Sequence, residues 1–277
     1  GDEVVADIDR DRPGPAGIMM RGLIIVVACL ASAAALGVPG SVGNPELAWK
    51  NYLATGTALE PRYRFPHATC FRAAAVAYQL PETLLLAVAR GESDFEPTAR
   101  SKANAHGVMQ ILWPTTAHHL GIYRLSELYD PCTNIDAGAR YLKEMLGRFD
   151  GNLHLALAAY NYGPVRIASD PDNIPSGANW YSGYIYRHLD YVLGDRSQAT
   201  PAVRSLYSEL GRSTLVEFGE PYRAAAFVDG LLARAPGVQL DWFRKDVGRF
   251  AVVMIYQDKA QFDSHAKLLA RAGFPVR

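Results

Sequence analysis

The chain has 277 residues, 49% of them hydrophobic and 20% charged, with 28 basic side chains balanced by 28 acidic ones. That length holds one large domain or two modest ones, and the apolar content is ample for a packed core. Zero net charge argues against a nucleic-acid partner, and the composition argues against intrinsic disorder. A single long apolar run argues against a multi-span membrane protein.

Residues 1–18 are polar, with Asp2, Glu3, Asp7, Asp9 and Asp11 against Arg10 and Arg12, and read as an upstream extension. Met19 or Met20 offers a start, Arg21 a short positive segment, and residues 23–37 an apolar stretch. That stretch falls short of a membrane span of about 20 residues and suits a signal-peptide core. Val26-Val27-Ala28-Cys29 also resembles a bacterial lipobox, which leaves two alternatives open: a soluble periplasmic chain, or a lipoprotein anchored through Cys29. Without residues 1–37 the chain carries 23 acidic and 25 basic residues and is near neutral.

Residues 38–66 form a lead-in segment, and residues 67–194 read as mostly helical. Apolar residues recur at helical spacing in 67–79, 82–91, 138–148, 153–160 and 184–193. The polar stretch from Gly194 to Pro201 marks a break, and residues 195–212 are read as a linker. Beyond it come a strand at 214–218, a helix at 222–234, strands at 238–243 and 250–256, and a helix at 260–272. The expected fold class is a mainly α domain followed by a small α+β domain, residues 213–277, of order βαββα.

The helix at 82–91 is apolar on nearly every face, so it is expected to be buried, and it ends in Glu92-Ser93. A carboxylate there is desolvated and meets the negative pole of the helix dipole. Both effects favour the protonated form, which a general acid requires. Later features each have a bland reading. Gly107 permits a turn, Met109 and Tyr160 fill core, and Asn161 with Gly163-Pro164 stops a helix.

Their order is more specific than any one of them. Glu92-Ser93 is followed by Glu96-Pro97, Ala99-Arg100-Ser101, Gly107-Val108-Met109-Gln110 and Pro114-Thr115-Thr116-Ala117. Then come Asn134-Ile135, Gly138-Ala139-Arg140-Tyr141-Leu142 and Ala159-Tyr160-Asn161-Tyr162-Gly163. Over about residues 67–194 this series resembles the catalytic domain of the soluble lytic transglycosylases, lysozyme-like enzymes that cleave bacterial peptidoglycan. Val108 stands where the family has leucine. The family's final Glu-Thr pair is absent from residues 174–185, where Tyr184 is the best match to its tyrosine and Tyr181 the competing one. Trp180 is a candidate for stacking on a sugar ring.

The resemblance implies a lysozyme-like fold and one catalytic carboxyl, Glu92, with no cofactor and no metal. Glu92 would protonate the β-1,4 oxygen between N-acetylmuramic acid and N-acetylglucosamine, then deprotonate the muramyl C6 hydroxyl, leaving a 1,6-anhydro end. Ser93, Ser101, Met109, Gln110, Tyr160, Asn161 and Tyr184 would bind and orient the glycan. Asp94 and Glu96 read as polar loop residues. Cys70 and Cys132 match cysteines of small transglycosylases of secretion and conjugation systems, which implies a disulfide between them. The implied partners are peptidoglycan glycan strands and an envelope-spanning secretion, pilus or conjugation machine. Residues 213–277 weakly resemble a SPOR domain. Two other readings stay open, a lysozyme-type hydrolase that uses water and a non-catalytic glycan-binding component of an envelope machine. The seven histidines show no metal-ligand spacing, and no serine-hydrolase elbow occurs.

Overall fold

The apolar helix ending at Glu92 is the axis around which the helical part of the molecule is built. The computed structural model describes residues 43–194, 205–246 and 248–276; the expected leader with Cys29, and residues 195–204 of the expected linker, lie outside them. This axial helix, α3 (Glu82–Ser93), is buried from Thr83 through Gly91. It packs between α2 (Ala68–Tyr78) and α8 (Ser176–Leu193). Gly91 permits the close approach to α8, since a Cβ there would lie 2.6 Å from Ile185 Cδ1.

Around this pair, α5 (Pro131–Arg148) packs on α2 and on α6 (Leu153–Tyr162), and α6 packs on α8. Helix α5 starts a full two turns before the expected 138. Asp130 accepts a hydrogen bond from the Thr133 amide at 2.8 Å, and Pro131 occupies the first turn, where its missing N–H costs nothing. Cys70 on α2 and Cys132 on α5 are disulfide-bonded, as the resemblance implied.

The lead-in segment contributes more than a connection. Within it α1 (Pro45–Thr55) is capped by Asn44, whose side chain accepts from the Leu47 amide at 3.0 Å. Trp49 and Tyr52, three residues apart, turn inward. Trp49 Nε1 donates to Ser182 Oγ at 3.0 Å, and Tyr52 Oη shares a hydrogen with Thr83 Oγ1 at 2.7 Å. Between α3 and α5 run the short strands β1 (Ala105–His106) and β2 (Ile111–Leu112) and the helix α4 (Thr115–His119); α7 (Pro164–Ala168) follows α6.

The C-terminal part has the expected βαββα order, with β3 (Gly211–Phe218), α9 (Pro221–Arg234), β4 (Gln239–Asp246), β5 (Arg249–Tyr256) and α10 (Lys259–Arg271). The sheet is antiparallel in the order β3-β5-β4, and central β5 is buried from Phe250 to Ile255. Leu231, Val238, Met254 and Leu269 form a small core under α9 and α10. The edge strand β4 instead joins the helical core. Trp242 lies 5.6 Å from the Tyr184 ring and Phe243 lies 5.5 Å from His188. Residues 205–212, read as linker from their composition, are packed too. Tyr207 is 1% exposed and its ring lies 4.8 Å from Phe65. No helix among the described residues is long and apolar enough to cross a membrane.

Candidate active site

Glu92 leaves the C-terminal turn of α3 into a cleft of about 680 Å³. Its side chain is only 4% exposed. One carboxylate oxygen accepts from the Tyr181 phenol, and the other lies 3.0 Å from Arg244 Nη2. Burial first, and then the charge on Glu92, push the Tyr181 phenol well above its ordinary pKa, so it stays a neutral donor. The same two causes act on Tyr160, whose hydroxyl donates to the Met109 carbonyl at 2.8 Å.

The loop between β1 and β2 faces Glu92 and is pinned from beneath. Buried Asn134 on α5 accepts from the Met109 amide at 2.7 Å and donates to the carbonyls of His106 and Leu128, both at 2.9 Å. Gly107 adopts φ +77°, and any Cβ there would sit 2.3 Å from both the Asn134 side chain and the Leu128 carbonyl. Ser93 Oγ donates to the Val108 carbonyl at 2.7 Å and ties this loop to the end of α3. Gln110 is held by bonds from its amide nitrogen to the Gly107 and Ala99 carbonyls, at 2.9 and 3.2 Å. Ser101 Oγ accepts from the Ala105 amide at 3.1 Å.

The expected binding residues therefore divide. Ser101, Gln110, Tyr160 and Asn161 line the cleft with Glu92, and Trp180 joins them. Ser93, Met109 and Tyr184 are not on its wall. Ser93 and fully buried Met109 hold the loop. Tyr184 is 3% exposed; it donates to the Gly91 carbonyl at 3.0 Å and accepts from the Arg244 amide at 2.9 Å. The reason is the start of α8 at Ser176 rather than 184. Running antiparallel to α3, it sets Tyr181 on Glu92, Tyr184 on Gly91 and His188 on Arg90. Tyr181, the competing match, is the tyrosine on the carboxylate.

Sequence reasoning missed the contribution of the C-terminal part. Arg244, Lys245, Asp246 and Phe250 form one wall of the cleft. The strand is anchored through Asp241, which pairs with fully buried Arg90 at 2.6 Å and with Arg187. Burial alone would raise the Asp241 carboxyl, but Arg187 and Arg90 outweigh it and hold it well below the usual carboxylate range. Burial, with Arg187 and Arg90 beside it, keeps His188 well below its ordinary pKa, and its neutral Nδ1 accepts from Arg90 at 2.8 Å.

Asp94 and Glu96 stand apart from this chemistry. Asp94 is turned into the same buried network, accepting from Tyr207 Oη at 2.5 Å and pairing with Arg212 at 2.6 Å. Glu96 accepts from the Thr98 amide at 2.9 Å and from its hydroxyl. Asp246 accepts from the Lys102 amide at 3.3 Å. Among the described residues the cleft thus presents two carboxyls, Asp246, which is paired with Lys102, and the more deeply sequestered Glu92, whose phenol donor suits it to passing a proton to and from a bound ligand.

Residues 69–180 match the family model described as the transglycosylase SLT domain. The chain is 32% identical over 115 residues to the soluble lytic murein transglycosylase of Escherichia coli K12, covering 39% of this chain and 18% of that protein. It is 33% identical over 137 residues to the transglycosylase of Enterobacteria phage PRD1, covering 47% of this chain and 46% of that protein. It is 33% identical over 140 residues to membrane-bound lytic murein transglycosylase C of Haemophilus influenzae PittGG, covering 44% and 39%. The chain thus spans less than half the length of each of these relatives. The crystal structure of the 70 kDa soluble lytic transglycosylase from Escherichia coli aligns with a TM-score of 0.41 at 28% identity, over 49% of this chain and 26% of that one. The segment that matches the transglycosylase SLT domain, residues 69–180, holds Glu92, Gln110, Tyr160 and Asn161.

Proposed function

We propose that the protein is a peptidoglycan lytic transglycosylase with Glu92 as its acid and base. The observation that carries this reading is the placement of Glu92. It is a nearly buried carboxyl inside the segment that matches the SLT domain, lining a cleft of about 680 Å³, with Tyr181 donating to it. Glu92 protonates the glycosidic oxygen of a muramyl–glucosaminyl bond, and the leaving sugar departs from the muramyl C1. The resulting carboxylate takes the proton of the muramyl C6 hydroxyl as that oxygen attacks C1, closing the 1,6-anhydro ring. Glu92 ends the cycle protonated, and no water is consumed. Tyr181 keeps one carboxylate oxygen oriented, while Gln110, Tyr160 and Asn161 face the sugars. Asp94 and Glu96 are turned to other partners, and Asp246 on the cleft wall is paired with Lys102, which favours one carboxyl over a flanking pair.

The apolar stretch at 23–37 supports export to the cell envelope, where peptidoglycan lies, with Cys29 as the point of attachment if the chain is lipidated. Residues 67–194 supply the catalytic unit and residues 213–277 an accessory unit that builds one wall of its cleft. The Glu92→Gln variant tests the assignment. Loss of muropeptide release with an unchanged circular dichroism spectrum supports it, and retained release removes Glu92 from the mechanism.

A further inference from the structure

Strand β4 brings an arginine to the cleft from outside the SLT segment. Arg244 Nη2 lies 3.0 Å from Glu92, its guanidinium carbon lies 5.2 Å from the Tyr181 ring centre, and its amide donates to Tyr184 at 2.9 Å. The side chain is 19% exposed, so it is reachable from the cleft yet mostly shielded from water. Among the described residues, the carboxylate paired with Arg244 is Glu92.

That pairing cannot last through the proposed reaction. Glu92 must hold a proton in order to give one, and a neutral carboxyl offers Arg244 no counter-charge. A shielded guanidinium without a counter-charge is strongly disfavoured. A different anion has to take the guanidinium fork once the acid is loaded. The neighbouring carboxylates on β4 are engaged elsewhere, Asp246 with Lys102 and Asp241 with Arg90 and Arg187.

The substrate can supply that anion. A muramyl residue bears a lactyl ether on C3, two ring carbons from the C1 that Glu92 serves, and the lactyl group ends in a carboxyl. On strands that keep their stem peptides this carboxyl is consumed in an amide. On peptide-free strands it is a carboxylate, the planar two-oxygen partner that a guanidinium binds best.

Building on the proposed muramyl-cleaving function, we infer that Arg244 is a specificity-determining residue that exchanges Glu92 for the lactyl carboxylate, so that the preferred substrates are glycan strands stripped of stem peptides. The exchange ties release of the acid to arrival of the right sugar. It also gives the C-terminal unit a direct part in substrate choice.

The test uses the full chain and two soluble substrates from the same sacculi, peptide-bearing strands and strands whose stems an amidase has removed. The parent is expected to show a kcat/KM roughly tenfold to a hundredfold higher on the peptide-free strands, the worth of one charge-assisted pair. Arg244→Ala should abolish that preference mainly through KM, and Arg244→Lys should restore part of it. Equal kcat/KM on both substrates in the parent overturns the inference. So does an Arg244→Ala variant that loses, or gains, activity on both by the same factor. Should Arg244→Ala fail to fold, calorimetric binding of a peptide-free tetrasaccharide to Glu92→Gln decides. Tighter binding than to the parent supports the exchange, and equal or weaker binding refutes it. Anhydro ends formed equally well from both strand types sink only the role of Arg244, whereas absence of anhydro ends sinks the proposed reaction.

Discussion

Asp241 is the residue whose loss should most clearly reveal how the C-terminal unit is held. Asp241→Asn keeps the shape of the side chain and removes its charge. It leaves Arg90, 0% exposed, and Arg187, 18% exposed, facing one another without their shared carboxylate. Breaking a buried pair by deleting one partner costs about 3–5 kcal/mol, because the remaining charge stays desolvated. For a chain of this size each kcal/mol moves the melting temperature by about 2–4 °C, so a drop of roughly 10 °C is expected. Thermal unfolding followed by circular dichroism measures it. Asp263→Asn on α10 is the control, since its pair with Lys259 at 2.9 Å is largely exposed and its loss should leave the midpoint unmoved. An Asp241→Asn midpoint matching the parent would refute the reasoning that this network anchors β4.

Three further outcomes follow from the same structure. The Cys70–Cys132 bond closes a span of 62 residues, so reduction should remove about 4 kcal/mol of stability by chain entropy; an unchanged urea midpoint under reductant would contradict this. Burial and the flanking Arg187 and Arg90 hold folded His188 well below its ordinary pKa, while the unfolded imidazole takes a proton near pH 6.5. The unfolded state therefore binds more protons, and unfolding free energy should fall below about pH 6.5 by up to about 1.4 kcal/mol per pH unit for this group. His188→Gln should flatten that slope, and identical slopes would refute the cause. Asn134→Ala removes three buried hydrogen bonds, two of them to the 105–110 loop, and should cost on the order of 3 kcal/mol. It should also lower kcat/KM, because Gln110 and the Met109 carbonyl lose their support; a variant with parental kinetics would free the loop from that role.

Much of this was legible in the sequence where chemistry and periodicity agree. The all-round apolar run of α3 announced a buried helix, and its terminal glutamate is the sequestered carboxyl in the cleft. The alternation at 214–218, the strand-like stretches at 238–243 and 250–256 and the helical spacing at 222–234 and 260–272 gave the C-terminal order. Three features were not legible for physical reasons. Helix α1 rests on only two inward aromatic residues, Trp49 and Tyr52, with Leu47 and Leu53 exposed, so its stripe is too thin to stand out. Tyr207 sits in a polar stretch, and partners distant in sequence, among them Phe65, Phe95, Asp94 and Arg90, make it core. Strand β4 runs past Phe243 into Arg244-Lys245-Asp246, where apolar alternation ends because those side chains meet the cleft. Which tyrosine reaches Glu92 depended on where α8 begins, and local pattern fixes helix ends least well.

The central claim is that an internal hydroxyl, delivered by Glu92, replaces water at the muramyl C1. Digestion of purified sacculi in water enriched in heavy oxygen tests it most directly, with product ends read by mass spectrometry. The account predicts 1,6-anhydromuramyl ends that carry no heavy oxygen, and no new ends with Glu92→Gln. Reducing muramyl ends bearing heavy oxygen would contradict it and identify water as the nucleophile.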